Sequence, residues 1–375
     1  MKFKTLAVYC FLFASSASSC IQDEALNSEA AIDACSGTNV QLANIDTNSK
    51  TINVYVHKSI DISKQELKFT VPEGATIKVN SPITGDTEST YDFSEEPHSR
   101  QFTVTSEDGQ WKAVYTVNVV PTELPTTFHF ERLLSSNPYD IFYEFQPGTS
   151  QNASKVLQWS SGNKGYELTS MAKTNADYPT VQSINGYQGK GVKLETRNTG
   201  SFGAIVKMYI AAGNLFIGSF DVGNALKDPR KATKFGFQFD KRPTSLKGSY
   251  KFKAGDIYTV KGEAQSGKRD KFDIYAVMYE TDNNSDMLDG DNVFTSDKLV
   301  LLARIDSESA VETDNWKEFN LPFKPVNGKT IDNNKLKQGK YKLGIVFSSS
   351  VDGAYFEGAV GSTLYIDEVE LICEE

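Results

Sequence analysis

Histidine is the scarcest chemistry-bearing residue in this chain, with three in 375 residues, at positions 57, 98 and 129. None lies beyond the entrance to the C-terminal two-thirds. A Ser-His-Asp or Cys-His arrangement is therefore unavailable within that body, and histidine-dependent metal hydrolysis is excluded there too. Cysteine is nearly as sparse, with four residues. Cys10 falls in the leader and Cys20 directly follows it as the residue expected to be acylated, which leaves Cys35 and Cys373 at opposite ends of the folded body, their pairing open. The absence of a CxxC or Cys/His cluster argues against a structural zinc site. No apolar run reaches the roughly 20 residues of a membrane-spanning helix, and long helical periodicity is missing. Basic charge is also short: 39 Lys and Arg face 48 Asp and Glu, for a net −9. Removing Lys2 and Lys4 with the leader takes this to −11. So acidic a chain, without a basic run, is a poor nucleic-acid binder and offers anionic lipid no patch.

What is abundant is aromatic and β-forming. Phe and Tyr number 23 and 17, Thr, Val and Gly recur at short intervals, and the length suits about two domains. That composition reads as all-β. Residues 1–19 read as a signal peptide: Lys2 and Lys4, an apolar core from Leu6 to Ala14, then small residues up to Cys20. The run resembles a bacterial lipoprotein box, lax at Ala17, with cleavage before Cys20 and acylation of its thiol. Two or three acyl chains, at about 0.8 kcal/mol per buried CH₂, anchor a protein stably. Ile21 to Glu24 resembles the acidic export signal of Bacteroidetes surface lipoproteins, which implies an outer-membrane, surface-exposed address. Residues 20–37 form a polar tether.

The first folded block spans 38–121, with short strands such as TINVYV and LKFTVP and a hairpin across Glu107-Asp108-Gly109. It suggests a small immunoglobulin-like sandwich and resembles the spacer domains of those lipoproteins. Trp111 on that hairpin is expected to cap the small core. Residues 122–127, within the proline-punctuated PTELPTT, are expected to be a stiff linker holding the blocks apart. The second block, 128–375, holds about ten strands, including VKLETRN, FGAIVKMYI, KFGFQFD, SYKFKAG and KFDIYAVMYE, and is expected to be a jelly-roll sandwich. It ends in two strands around a glycine-rich loop, YKLGIVFSSS-VDGAYFEGAVGS-TLYIDEVEL, read as one tight connection.

Several of these runs, LQWSSGNKGY (157–166), GKGVKLET (189–196), IAAGNLFIGSF (210–220), FDKRPTSLKGSYKFKAGD (239–256), TDNWKEFNLPF (313–323) and the closing stretch, resemble the PCMD family of Bacteroidetes surface lipoproteins, a carbohydrate metabolism domain, in the family's order. The "W..F" and "LYIDEVEL" elements are also similar to galactose-binding-like and carbohydrate-binding modules. The resemblance implies a jelly-roll, surface display and glycan engagement, and it assigns no catalytic residue.

The residues themselves suggest sugar chemistry. Alternation turns Glu195 away from Val192 and Leu194, and Asp273 and Tyr275 away from Phe272, Ile274 and Ala276. Glu195 and Asp273 are the first carboxylates to consider for glycoside hydrolysis, which needs only two; an ion-paired sheet face is the plainer reading. Phe235, Phe237 and Phe239 are expected to share the inward face. For binding, Trp159, Asn163, Tyr166, Glu195, Asn214 and Arg242 supply aromatic faces and hydrogen-bonding groups. A shallow site is expected around Trp159, Tyr166, Glu195 and Arg242. Trp159 suits a platform or a core equally, Trp316 suits the core, and Asn214 after Gly213 suits a left-handed turn. The loop TDNNSDMLDGDN offers Asp282, Asp286, Asp289 and Asp291 as ligands for a structural calcium, although it departs from the EF-hand pattern; no other cofactor is implied. The first reading is a lipid-anchored glycan-binding lipoprotein whose partner is an oligo- or polysaccharide. The alternatives are a carboxylate-pair glycoside hydrolase and a structural or adhesive surface protein.

Overall fold

In a computed structural model, residues 26–145, 155–282 and 286–374 are described. The leader, Cys20 and the Ile21–Glu24 stretch lie outside the described residues. The chain is all-β, with a few short helices, and among the described residues no helix is long and apolar enough to cross a membrane.

The first block is built on a five-stranded sheet in the spatial order β1 (Leu42–Asp46), β2 (Thr51–His57), β5 (Lys112–Thr122), β4 (Ser99–Thr105) and β3 (Thr76–Val79). β2 and β5 run parallel, with His57 beside Thr122. Inward Ile52, Val54, Val56, Phe102, Val104, Tyr115 and Val117 fill its core. Trp111 is not part of it; at 62 % exposed it stands out from the hairpin into solvent.

The second block is a sandwich of two antiparallel six-stranded sheets. The first has β7 (Thr180–Ser183), β8 (Gly191–Glu195), β17 (Thr363–Cys373), β11 (Pro243–Lys253) and β14 (Thr313–Pro322) in order, with β6 (Thr127–Phe128) also on β17. The second has β9 (Asn214–Phe216), β16 (Tyr341–Ser348), β12 (Asp273–Glu280), β13 (Leu299–Arg304) and β15 (Lys324–Pro325), with β10 (Phe237–Gln238) also on β16. Alternation behaves as expected: Val192, Leu194, Tyr250, Phe252, Phe272, Ile274 and Ala276 all enter the core between the sheets. The glycine-rich segment does not turn a hairpin, because β16 and β17 belong to opposite sheets, and it crosses the end of the sandwich.

Local glycines reshape two expected strands. Gly236, at φ +117°, splits KFGFQFD, so Phe237 and Phe239 point into the main core while Phe235 packs on the outer face of the second sheet. A Cβ there would meet the Tyr279 hydroxyl at 2.4 Å, so glycine is required. FGAIVKMYI is not a strand: Gly200–Ile205 is helical, with the Gly203 amide bonded to the Thr199 carbonyl. The connector is no spacer either. Pro121 and Thr122 continue β5, Leu124 is buried in the main core, and Thr127–Phe128 pairs with Glu370 and Val369. Leu42 and Tyr55 of the first block join that same core, and the Tyr55 hydroxyl meets that of Tyr143 at 3.0 Å. The two blocks pack directly, with Leu124 of the connector in the core they share.

Candidate functional site

Only part of the expected site assembles. Trp159 is 2 % exposed, wedged against Phe128, Phe130 and Phe347, and its indole N–H donates to Glu144 at 3.2 Å, which makes it a core residue. Asn163 is fully buried and stitches backbone, bonding the Thr180 carbonyl and amide. Glu195 is held between Lys193 at 2.5 Å and Arg197 at 3.0 Å. Arg242 grips Asn333 and the Ile331 carbonyl. Glu195 lies opposite Thr363 on β17, whereas Pro243, next to Arg242, lies opposite Cys373. Ten residues of strand put about 30 Å between those ends, so the two side chains share no site. Asn214 is a strand residue without a positive φ; its side-chain oxygen accepts the Gly162 amide at 2.7 Å.

Asp273, Tyr166 and Asn214 do line one cavity, on the outer face of the second sheet. Strand β12 is buried on both sides: Tyr275, Val277 and Tyr279 pack outward against Phe216, Phe235, Leu288 and Val346. The segments carrying helices Gly200–Ile205 and Val222–Ala225, the turn Pro229–Lys231 and the glycine-rich loop stand around this layer. They leave a cavity of about 410 Å³, within the roughly 300–1,000 Å³ of small-molecule sites. Tyr275, Phe216 and Phe235 form its apolar floor. Phe294, 37 % exposed, and Tyr355, 59 % exposed, flank its mouth.

The polar groups of the cavity are held in place. Asp273, 4 % exposed, takes a two-pronged bond from Arg304 at 3.0 and 2.6 Å. Burial pushes its carboxyl above the usual range, against the opposing pull of Arg304, and the charge of Asp352 adds to the rise. The Arg304 guanidinium lies 4.1 Å over the Phe294 ring, and Phe294 is 4.8 Å from Tyr275. Across the mouth, Arg230 sits 5.2 Å over the Tyr355 ring and contacts Asp291 at 2.7 Å, an ion contact rather than a well-directed hydrogen bond to Oδ1. Asp352 accepts from the Tyr258 hydroxyl at 2.6 Å and from Lys268 at 3.1 Å. The next residue but three, Phe356, lines the cavity in the left-handed region at φ 59°, a strained state for a bulky residue of the kind that gathers at ligand sites. Fixed aromatic faces beside a guanidinium and carboxylates suit a pyranose, whose C–H face stacks and whose hydroxyls need donors and acceptors together. Sequence alone pointed to Asp273, Tyr166 and Asn214. It did not single out Tyr355, Phe294, Arg230 or Arg304, which lie on separate loops or a strand end and meet only in the fold.

Elsewhere, Trp316 is not in the core. It and Phe319 are three apart on a strand and so face opposite ways: Phe319 is buried, whereas Trp316 lies outside with Lys251 between it and Tyr365, at 4.8 and 4.9 Å. The acidic loop does not gather its carboxylates, Asn283–Ser285 being outside the described residues. Asp282 and Asp286 turn to Lys298, Asp289 to Lys234 and Asp291 to Arg230. Cys35 and Cys373 are free thiols.

Residues 129–372 match the family described as "Putative carbohydrate metabolism domain" (PCMD), and residues 32–119 match "SGBP, N-terminal". A crystal structure from Bacteroides thetaiotaomicron described as a "putative glycoside hydrolase" is similar, with 49 % identity and a TM-score of 0.81, over 94 % of this chain and 99 % of that one. A second with the same description, from Bacteroides vulgatus, is 44 % identical over 68 % of this chain and 100 % of that one, with a TM-score of 0.61. No curated protein matches.

Proposed function

The chain belongs to the PCMD family, and from that premise we propose that it is a lipid-anchored surface protein that holds an oligosaccharide in the cavity on the outer face of its second sheet. The observation that carries this reading is the pair of exposed aromatic rings, Tyr355 and Phe294, each braced by an arginine at the mouth of a cavity whose lining includes the Asp273–Arg304 pair. Bracing by a cation fixes the ring before the ligand arrives and lowers the ordering cost of binding. The anchor is Cys20, and its support is the lipoprotein-like leader. A glycan array followed by titration calorimetry on the full chain tests the reading. Tyr355→Ala is expected to weaken the captured saccharide about fivefold or more, from an aromatic contact of roughly 1–3 kcal/mol, with an unchanged melt.

One observation favours a second reading, hydrolysis. Asp273 is a buried carboxyl with a raised proton affinity, within electrostatic reach of Asp352, and glycosidases keep one carboxyl protonated as the acid. Release of reducing ends by the chain, abolished in Asp273→Asn with binding retained, would select it. Binding without release would leave the cavity a capture site.

A further inference from the structure

The three places where the blocks and their connector meet bring a histidine and two carboxylates together. His57 ends β2, and Glu123 directly follows β5, whose last residue Thr122 lies beside His57 in the parallel pairing. Asp240 follows Phe237 and Phe239, which sit in the main core, and Phe237 meets Tyr55 of β2 edge-on at 6.4 Å. The result is that His57 Nε2 stands 4.0 Å from a Glu123 carboxylate oxygen and 4.0 Å from an Asp240 oxygen. All three ligand atoms lie within 4.8 Å of one another. His57 is mostly covered, whereas the two carboxylates are partly open to solvent.

We propose that His57, Glu123 and Asp240 form a site for a divalent transition-metal ion of the Zn²⁺ type, joining the first sandwich, the connector and the second sandwich. Two atoms each about 2.1 Å from one ion lie at most about 4.2 Å apart. The two histidine separations fall inside that limit, and the solvent-facing carboxylates need only turn inward. An imidazole with two carboxylates suits zinc and its neighbours, whereas calcium asks for six to eight oxygens. Ser59 sits behind the ring: its Oγ lies 2.8 Å from His57 Nδ1, and its amide N–H donates to the same nitrogen at 3.3 Å. Metal at Nε2 selects the tautomer whose Nδ1–H donates to that Oγ, the usual outer contact of a ligating histidine, and gives up the longer bond from the Ser59 amide. Three protein ligands leave at least one position to water.

The same geometry names a competitor. Lys58 Nζ is 2.8 Å from the Glu123 oxygen that faces His57, and the charge of Asp240 also acts on it. Lys58 is mostly exposed, and such surface pairs are weak, so a dication displaces the ammonium. Removing that one cation should therefore improve the site.

Calorimetric titration of ZnCl₂ into the full chain, carrying no histidine tag, tests this. The expected result is one Zn²⁺ per chain, about tenfold or more weaker in both Asp240→Asn and His57→Gln, several-fold tighter in Lys58→Met, and no comparable heat with CaCl₂. Zinc should also raise the melting temperature of the wild type and not of Asp240→Asn. Asp240 is exposed and, among the described residues, its carboxylate accepts no backbone hydrogen bond, so that variant reads the site even if a His57 variant fails to fold. Equal zinc binding by wild type and Asp240→Asn, weaker binding by Lys58→Met, or calcium bound as tightly as zinc would each overturn the proposal.

Discussion

Glu144 shows how much one residue decides here. It is buried beside Trp159, and burial pushes its carboxyl up to about 7, with the indole N–H and His129 pulling the other way. The protonated form is the one the fold favours. Its contribution to stability is thus fully present below the ordinary value of 4.5 and is lost as pH rises toward 7. Glu144→Gln keeps an acceptor for the indole and removes the buried charge. It is expected to gain on the order of 2–3 kcal/mol at pH 8 and to flatten stability between about pH 4.5 and 7; denaturant melts at pH 4.5 and 8 check this. Trp159 and Glu144 are also a lesson in legibility. The sequence left Trp159 open between platform and core, because a Trp beside two serines and a glycine looks much the same in either setting. What decides is a buried carboxylate 15 residues upstream that takes its N–H, and no local pattern announces that pairing.

At the scale of elements, alternation read the strands well wherever the backbone stayed extended. The split of KFGFQFD at Gly236 and the helix at Gly200–Ile205 escaped it, since a positive φ and a tight turn leave the apolar pattern intact while changing the path. The glycine-rich loop was visible as a loop, but not what ties it down. Asp270, almost fully buried, accepts from the Ser350 and Ser362 hydroxyls at 2.6 and 2.7 Å and from the Ala359 and Lys271 amides at 2.7 and 2.9 Å. This one carboxylate pins both ends of the loop that presents Tyr355. Asp270→Ala strands those donors at about 1–3 kcal/mol for each group left buried and unpaired. The expected outcome is a stability lower by at least about 4 kcal/mol and faster amide exchange across 349–362, with the first block's strands unaltered. Unchanged exchange in that loop would show that Asp270 does not hold it.

At the scale of the whole molecule, two blocks and their order were legible from strand spacing and the hairpin, and the all-β class from composition. Their union was not, because Leu42, Tyr55 and Leu124 look like ordinary strand and linker residues until they meet one core. Residues 128–375 alone are therefore expected to fold but to melt below the full chain, and Tyr55→Ala in the full chain to cost about 3–5 kcal/mol; calorimetry of the fragment and the variant checks both. A fragment melting with the full chain would make the shared core energetically idle. The candidate site was half legible: its strand residue Asp273 followed from alternation, while Tyr355 with Arg230 and Phe294 with Arg304 come from separate segments that meet only around the cavity. The central claim concerns where a saccharide sits, and the most direct measurement is a crystal structure of the full folded body with the oligosaccharide that titration identifies. The account predicts a sugar ring against Tyr355 and Phe294, with hydroxyls reaching the Asp273–Arg304 pair. A sugar lying instead along Trp316 and Tyr365 on the opposite sheet, with the cavity empty, would contradict it.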